Sequence, residues 1–135
     1  LGMAAFWGCA NLEKVTYTNG AGTIGFACFA ECKKLKSVAI PEGISAIDKS
    51  CFANCKKLKQ INLPSTLKTI GENGFYGCTG LRTVTVKGRV TKCKIFAFYK
   101  VKKCKIILKT KAAKKSKKVF AKELKQEGNK KVKIK

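Results

Sequence analysis

Cysteine is the one reactive side chain that recurs through this sequence, at positions 9, 28, 32, 51, 55, 78, 93 and 104. A thiolate can act as a nucleophile, hold zinc or close a disulfide, and each use demands partners. The chain has no His and a single Asp, Asp48, so neither a Cys–His pair nor a Ser-His-Asp arrangement can be assembled. No C-x-x-C supplies a zinc site of the usual spacing. No paired carboxylates recur for acid–base work, and no G-x-x-x-x-G-K-[ST] stretch offers a phosphate cradle. The expectation is a non-enzyme without catalytic residues, metal or cofactor. The other charged chemistry is cationic: thirty Lys/Arg against seven Asp/Glu give a formal net charge of +23. Residues 1–86 hold ten of the basic residues and five of the acids, and residues 87–135 hold twenty and two. Such asymmetry bears on association with polyanions, not on fold.

The cysteines are placed by something larger than themselves. Cys9, Cys32, Cys55 and Cys78 stand 23 residues apart, and Val101 takes the fifth place. The same step runs through Phe6, Phe29, Phe52, Phe75 and Phe98, through Leu12, Leu35, Leu58, Leu81 and Cys104, and through Val15, Val38, Ile61, Val84 and Ile107. Cys28 and Cys51 share a slot with Ala5, Gly74 and Ala97, and Cys93 stands where Ile24, Ile47 and Ile70 stand. A fixed period in this range marks a solenoid, whose repeats bury their apolar faces only against one another. In such slots Cys acts as a small hydrophobe. Stacked equivalents come within nominal bridging distance, but their Cβ vectors run parallel, so buried free thiols are the expectation and a disulfide the exception.

Within each repeat, Val38-x-Ile40, Ile61-x-Leu63 and Val84-x-Val86 alternate with the period of a strand. Pro41 and Pro64 end these strands, since Pro cannot donate to a ladder, and Thr18 and Lys87 fill the same slot elsewhere. Asn19-Gly20 and Glu42-Gly43 supply turns, and Ile44–Ile47 and Leu67–Ile70 each suit one small second strand. Cys28–Cys32, Cys51–Cys55 and Gly74–Cys78 have the spacing of one helical turn that carries the Phe inward.

AFWGCANLEKV, CFAECKKLKSVAIPEGISAI, CFANCKKLKQINLPSTLKTIG and GFYGCTGLRTVTV together resemble the BspA-like (Treponema-type) leucine-rich repeat, a 23-residue variant. The resemblance covers residues 1 to about 108 and implies a β-rich α/β repeat solenoid: a right-handed leucine-rich-repeat array with short strands stacked into parallel sheets. It also implies a bacterial cell-surface or secreted protein with a role in adhesion, and a protein or glycan ligand on host or matrix. The fifth repeat departs from the pattern at Lys87, Val101 and Cys104, as terminal repeats do. The domain reading is a solenoid over 1–108, with about five repeats, the first truncated and the last degenerate, and a Lys-rich cap over 109–135. In that cap Ser116 opens one helix to about Glu127, with Phe120 and Leu124 on one face and Gly128 as its stop. Val132 and Ile134 then alternate with Lys as a short strand. The alternative is a loose basic tail, resembling in composition the Lys-rich ends of leucine-rich-repeat surface proteins of Gram-positive bacteria. The start, LGMAAFWGC, enters the pattern partway through a repeat and has no secretory signal, which reads as a truncation. No run reaches the roughly 18 apolar residues of a membrane span.

If Val38 and Ile40 point inward, the outward columns are Lys14/Ser37/Gln60/Thr83 and Thr16/Ala39/Asn62/Thr85. A small polar face of Ser37, Gln60, Asn62, Thr83 and Thr85 is thus the candidate binding face. Beside it Lys36, Lys59, Arg82 and Lys105 form a candidate ridge for a polyanion such as an anionic wall polymer, flanked by Lys33/Lys56/Lys102 and Lys34/Lys57/Lys103. Like charges about 5 Å apart repel by around 1 kcal/mol per pair in water, which a fold tolerates. The plain alternative is that Lys is the solvated residue of this repeat. Nucleic acid fits poorly, because the Phe columns are core and leave no stacking platform. Two functions stay open: a binding or adhesion module, or a passive spacer and wall-association segment whose ridge and tail hold anionic cell-wall polymer.

Overall fold

The computed structural model describes all of Leu1–Lys135. Ten strands and two helices follow in order. They are β1 Lys14–Thr16, β2 Gly22–Ile24, β3 Ser37–Ala39, β4 Ile44–Ile47, β5 Gln60–Leu63, β6 Thr69–Ile70, β7 Thr83–Val86, β8 Lys92–Cys93, β9 Cys104–Leu108, α1 Lys111–Lys114, α2 Lys117–Gln126 and β10 Val132–Ile134. All strands pair in parallel, in a six-stranded sheet β1-β3-β5-β7-β9-β10 and a four-stranded sheet β2-β4-β6-β8. Each coil thus gives one strand to each sheet. One apolar cluster continues from Ile24 to Val132 between them.

The phenylalanine column is the spine of that cluster. Ring centroids from Phe6 to Phe98 step by 5.3, 5.3, 5.5 and 5.5 Å with the rings close to parallel. Phe29, Phe52, Phe75 and Phe98 have no exposed surface, whereas Phe6 is half-buried because no coil covers its outer side. Proline ends the strands as expected, β5 closing at Leu63 just before Pro64, while β3 stops one residue earlier, at Ala39, with Ile40 between it and Pro41. Where Lys87 replaces Pro, its amide joins the ladder and donates to Leu63 O at 3.3 Å.

Three expectations about the coils need correction. The Phe-bearing segment is not a helical turn. Its amides alternate: Cys28, Ala30 and Cys32 donate to carbonyls three residues back, while Ala27, Phe29 and Glu31 donate to Lys49, Cys51 and Ala53 in the next coil. A helix would direct every amide along its own axis; here every second one is turned outward to bind a neighbour. The turning uses left-handed backbone at two places per repeat, Ala4/Ala27/Ser50/Asn73/Phe96 and Gly8/Glu31/Asn54/Gly77/Lys100, with φ between 51° and 70°. Non-Gly residues hold that conformation at a cost of order 1–2 kcal/mol, which the surrounding bonds must offset. Next, Leu67–Ile70 is a strand only over Thr69–Ile70, because the Leu67 amide closes a turn on Pro64 O at 3.2 Å. Finally, the fifth repeat slips by one residue. Val84 and Val86 pair with Ile106 and Leu108, so Ile106 takes the inward column and Ile107 faces outward. Lys105 alone stands between inward Cys104 and Ile106, where Arg82 and Thr83 separate Leu81 from Val84.

The cap is folded into the array. β10 pairs with β9, Val132 opposite Cys104 and Ile134 opposite Ile106. Phe120 packs on Phe98 at 6.1 Å with its ring tilted 58°, and Leu124 is buried beside it. Ser116 precedes α2 as expected, but its hydroxyl makes no cap; fully buried, it accepts from the Val90 amide at 2.9 Å. Thr110 is the residue that caps a helix, accepting from Ala113 N at the start of α1. Gly128 follows α2 with φ 65°, the left-handed stop.

The last coil has no following coil to receive its outward amides. Instead, Phe96 N donates to Glu123 Oε1 at 2.8 Å and Phe98 N to Glu127 Oε2 at 3.3 Å. Two carboxylates one helical turn apart thus stand in for the carbonyls of a further repeat. Asn129 secures the next stretch by donating to Phe98 O at 2.9 Å. Burial, then the neighbouring Glu123 carboxylate, push the Glu127 carboxyl up to about 7, against the pull of the Phe98 amide.

Two outcomes follow for stability. Phe52→Ala opens a cavity between two rings and is expected to cost about 3–5 kcal/mol in chemical denaturation, while Phe6→Ala, at the open end, costs far less. Glu127 keeps its proton to about 7 in the fold against 4.5 for an ordinary carboxyl. Between those values the unfolded chain has released a proton that the folded chain retains, so stability falls as pH rises and levels off above the window. Glu127→Gln is expected to flatten most of that slope in denaturation midpoints measured across it.

Candidate functional site

The two sheets treat their polar side chains differently. On the four-stranded side, hydroxyls tie coil to coil: Ser45 Oγ donates to Gly22 O, Thr66 Oγ1 to Ile44 O, Thr91 Oγ1 to Lys68 O, and Ser65 Oγ to Glu42 at 2.7 Å. On the six-stranded side, the outward columns run Lys14, Ser37, then Gln60, Thr83, Lys105, Lys133, and beside them Thr16, Ala39, Asn62, Thr85, Ile107. Ser37, Gln60, Asn62, Thr83 and Thr85 all lie on this face, exposed or half-buried. Their side chains enter none of the molecule's side-chain hydrogen bonds, which run elsewhere. The register slip adds Ile107, which a strict 23-residue period had assigned to the core.

Of the expected column Lys36, Lys59, Arg82, Lys105, Arg82 N bonds Lys59 O at 2.8 Å, but Lys105 leaves the column: its amide bonds Arg82 O, which sets it opposite Thr83, because the fifth repeat is one residue shorter there. All four side chains are exposed, but their surroundings differ. Lys36 is held by Glu13 at 2.8 Å, and the Lys36 ammonium keeps the Glu13 carboxyl below its ordinary range. Arg82 turns back on its own chain, donating to Thr79 O and Leu81 O. Lys34 reaches Asn11 at 3.0 Å, and Lys49 pairs with Glu72 at 3.2 Å. Glu123 and Glu127, which end the stack, have no role that the sequence alone assigns. Their signal was available: they are the sole acids in residues 87–135, four apart in a predicted helix.

All eight cysteines are free thiols; six are buried, Cys93 is half-buried and Cys9 is exposed. The Cys column has a structural use beyond filling space. Cys32 Sγ donates to Phe6 O at 3.0 Å, Cys55 Sγ to Phe29 O at 3.1 Å and Cys78 Sγ to Phe52 O at 3.0 Å, each reaching the preceding coil. Burial pushes the Cys32 and Cys104 thiols up to about 11 and Cys78 to about 12, and it raises Cys51 and Cys55 as well. Such thiols supply almost no thiolate at neutral pH and are poor nucleophiles. GAGTIG, residues 20–25, has the G-x-G-x-x-G spacing of dinucleotide-binding turns, but it runs into β2 and not into a helix, so no helix N-terminus is there to hold a phosphate. No helix is long and apolar enough to cross a membrane.

A family model described as the BspA type leucine rich repeat region matches residues 1–126 in 6 copies. The match therefore runs on through α2, in agreement with a cap that continues the stack. Among solved structures, the chain is similar to the leucine rich repeat protein of T. pallidum (TpLRR), at 26% identity and a TM-score of 0.70, over 80% of this chain and 54% of that one. It spans about half the length of that relative. No curated protein matches the sequence. Leucine-rich-repeat domains generally mediate protein interactions and are generally non-catalytic.

The thiol environments set a kinetic order that a chromogenic disulfide reagent reads directly. In the native protein Cys9 is expected to react at once and Cys93 slowly, with the six buried thiols appearing only on adding denaturant. Immediate reaction of more than two thiols contradicts the packing of the Cys column.

Proposed function

This chain belongs to the BspA-type leucine-rich repeat family, and from that premise we propose that it is a non-catalytic binding and adhesion module of a bacterial cell-surface or secreted protein. Its contact surface is the outward face of the six-stranded sheet, centred on Gln60, Asn62, Thr83 and Thr85 with Ser37 at one side. The supporting observation is the contrast between the sheets: Ser45, Thr66 and Thr91 of the other side are engaged between coils, whereas these five are held on the sheet face with their donors and acceptors free. A row of preordered polar groups binds at low entropic cost, because the parallel ladder has already immobilised the strands.

A second reading has its own support. Lys59, in the cationic column, and Lys105, beside it on the sheet face, stand exposed without a carboxylate partner, unlike Lys36. On this reading the chain is a spacer or wall-association segment whose ridge holds anionic wall polymer. Salt separates the two, since polyanion contacts weaken steeply with ionic strength and a neutral polar face does not.

The test is binding of the chain to immobilised matrix proteins at low and high salt, beside an Asn62→Arg/Thr85→Arg variant. Binding that persists at high salt and falls at least about tenfold in the variant is the expected result. Salt-resistant binding left intact by both arginines removes the sheet face from consideration.

A further inference from the structure

The first coils neutralise part of their own charge, and the C-terminal end does not. All three ion pairs, Lys33–Glu31, Lys36–Glu13 and Lys49–Glu72, lie in the first three-fifths of the chain. The only acids of residues 87–135 are Glu123 and Glu127, both buried and accepting from backbone amides. The solvent-facing charge of that segment is therefore cationic throughout. Register concentrates it: Lys133 lies opposite Lys105 across the β9–β10 pair, next to Thr83 of β7. Neighbouring strands are about 4.8 Å apart, so this row carries a repulsion of around 1 kcal/mol per pair in water that nothing inside the molecule offsets.

These cations line a concavity. Arg82, Lys102, Lys103, Lys105, Lys131 and Lys133 surround a hollow of about 800 Å³ beside the β9–β10 edge. A second hollow of about 530 Å³ adjoins it, sharing Lys102 and Lys131. Its character is mixed: Tyr99, whose partly exposed ring packs on Tyr76 and Phe96, lines it with Thr79 and Asn129, and Glu127 is its one carboxylate, with Oε1 lacking any partner. One half of the cleft thus offers chiefly cations, with Thr83 and Cys104 among them, and the other offers an aromatic residue with hydrogen-bonding groups under a lysine rim.

We propose that this double cleft is a binding site for an acidic glycan, a sulfated polysaccharide chain whose oxyanions lie along the lysine-lined half while a sugar ring rests against Tyr99. A slender chain alternating rings and oxyanions matches the alternation of the two hollows. A single-stranded nucleic acid needs successive stacking platforms, and Tyr99 is the only aromatic residue in either hollow. Duplex recognition needs an element that enters a groove, whereas this surface is itself concave. The lysine-lined half extends the sheet face, sharing Thr83, Lys105 and Lys133 with its outward column, so the inference deepens the polyanion reading and rests on it there; the Tyr99 half lies outside that column, and the Tyr99→Ala arm tests it separately.

The test uses the full chain and heparin-derived hexasaccharide, titrated by calorimetry at low and high salt. Two triple variants remove equal charge: Lys102→Gln/Lys105→Gln/Lys133→Gln in the cleft, and Lys56→Gln/Lys57→Gln/Lys68→Gln on earlier coils. All six side chains are exposed, and circular dichroism melting verifies that both variants fold. The cleft variant is expected to lose affinity by more than about tenfold with a shallower salt dependence, and the control by about twofold or less. Tyr99→Ala is expected to weaken the hexasaccharide while leaving binding of inorganic polyphosphate unchanged. Equal losses in the two triple variants, no binding by the unaltered chain, or tighter binding of a single-stranded oligonucleotide of equal charge overturns the proposal.

Discussion

The structure depends on a division of labour among the backbone amides of the Phe-bearing turn. One amide bonds within its own coil and the next donates to the coil ahead, through Ala27, Phe29 and Glu31 and their equivalents in every repeat but the last. Stacking therefore does not rest on the two sheets alone; a third line of hydrogen bonds closes the coil on its remaining side. The phenylalanine rings stack directly beneath that line, so that burial and hydrogen bonding fix the same spacing. Left-handed backbone at two positions per repeat is the cost of turning the amides outward, and it is met by residues as unlike as Ala, Ser, Asn, Glu and Phe.

An array held this way has an end problem, because unpaired buried donors are costly. The solution at the C-terminus is a helix in place of a further coil. α2 places Glu123 and Glu127 at the positions where carbonyls would have been and sets Phe120 on the last ring of the stack. This use of acids has a second effect. With its only two carboxylates buried, the cap offers solvent nothing but positive charge, so the means of ending the stack and the polarity of the surface have one origin.

Much of this was legible in the residues. Columns of Phe, Leu and Val/Ile identify the inward side chains, Pro64 marks a strand end, and Phe120 with Leu124 marks the buried side of the cap helix. The polar face of Ser37, Gln60, Asn62, Thr83 and Thr85 follows from the period of two. What failed did so where a neighbour in space outweighed a neighbour in sequence. Ser116 has the form of a helix cap, but its hydroxyl accepts from the Val90 amide, which has no backbone partner. Ile107 keeps the period of 23, yet alternation along β9 with Cys104 and Leu108 inward forces Ile106 into the core. The spacing Cys28–Cys32 suits a helix by length alone, and only the presence of the next coil makes an alternating turn better.

The sequence by itself therefore determined the repeat, its inward columns and the unequal distribution of charge, because each is a property of residue type at a fixed interval. Tertiary structure alone decided which amides cross between coils, which polar side chains remain free, and where the lysines converge. Those depend on distances between residues far apart in the chain, and the parallel register sets them. Lys105 and Lys133 are 28 positions apart in sequence, but β10 lays them side by side, and the cleft at the C-terminal end exists only because it does.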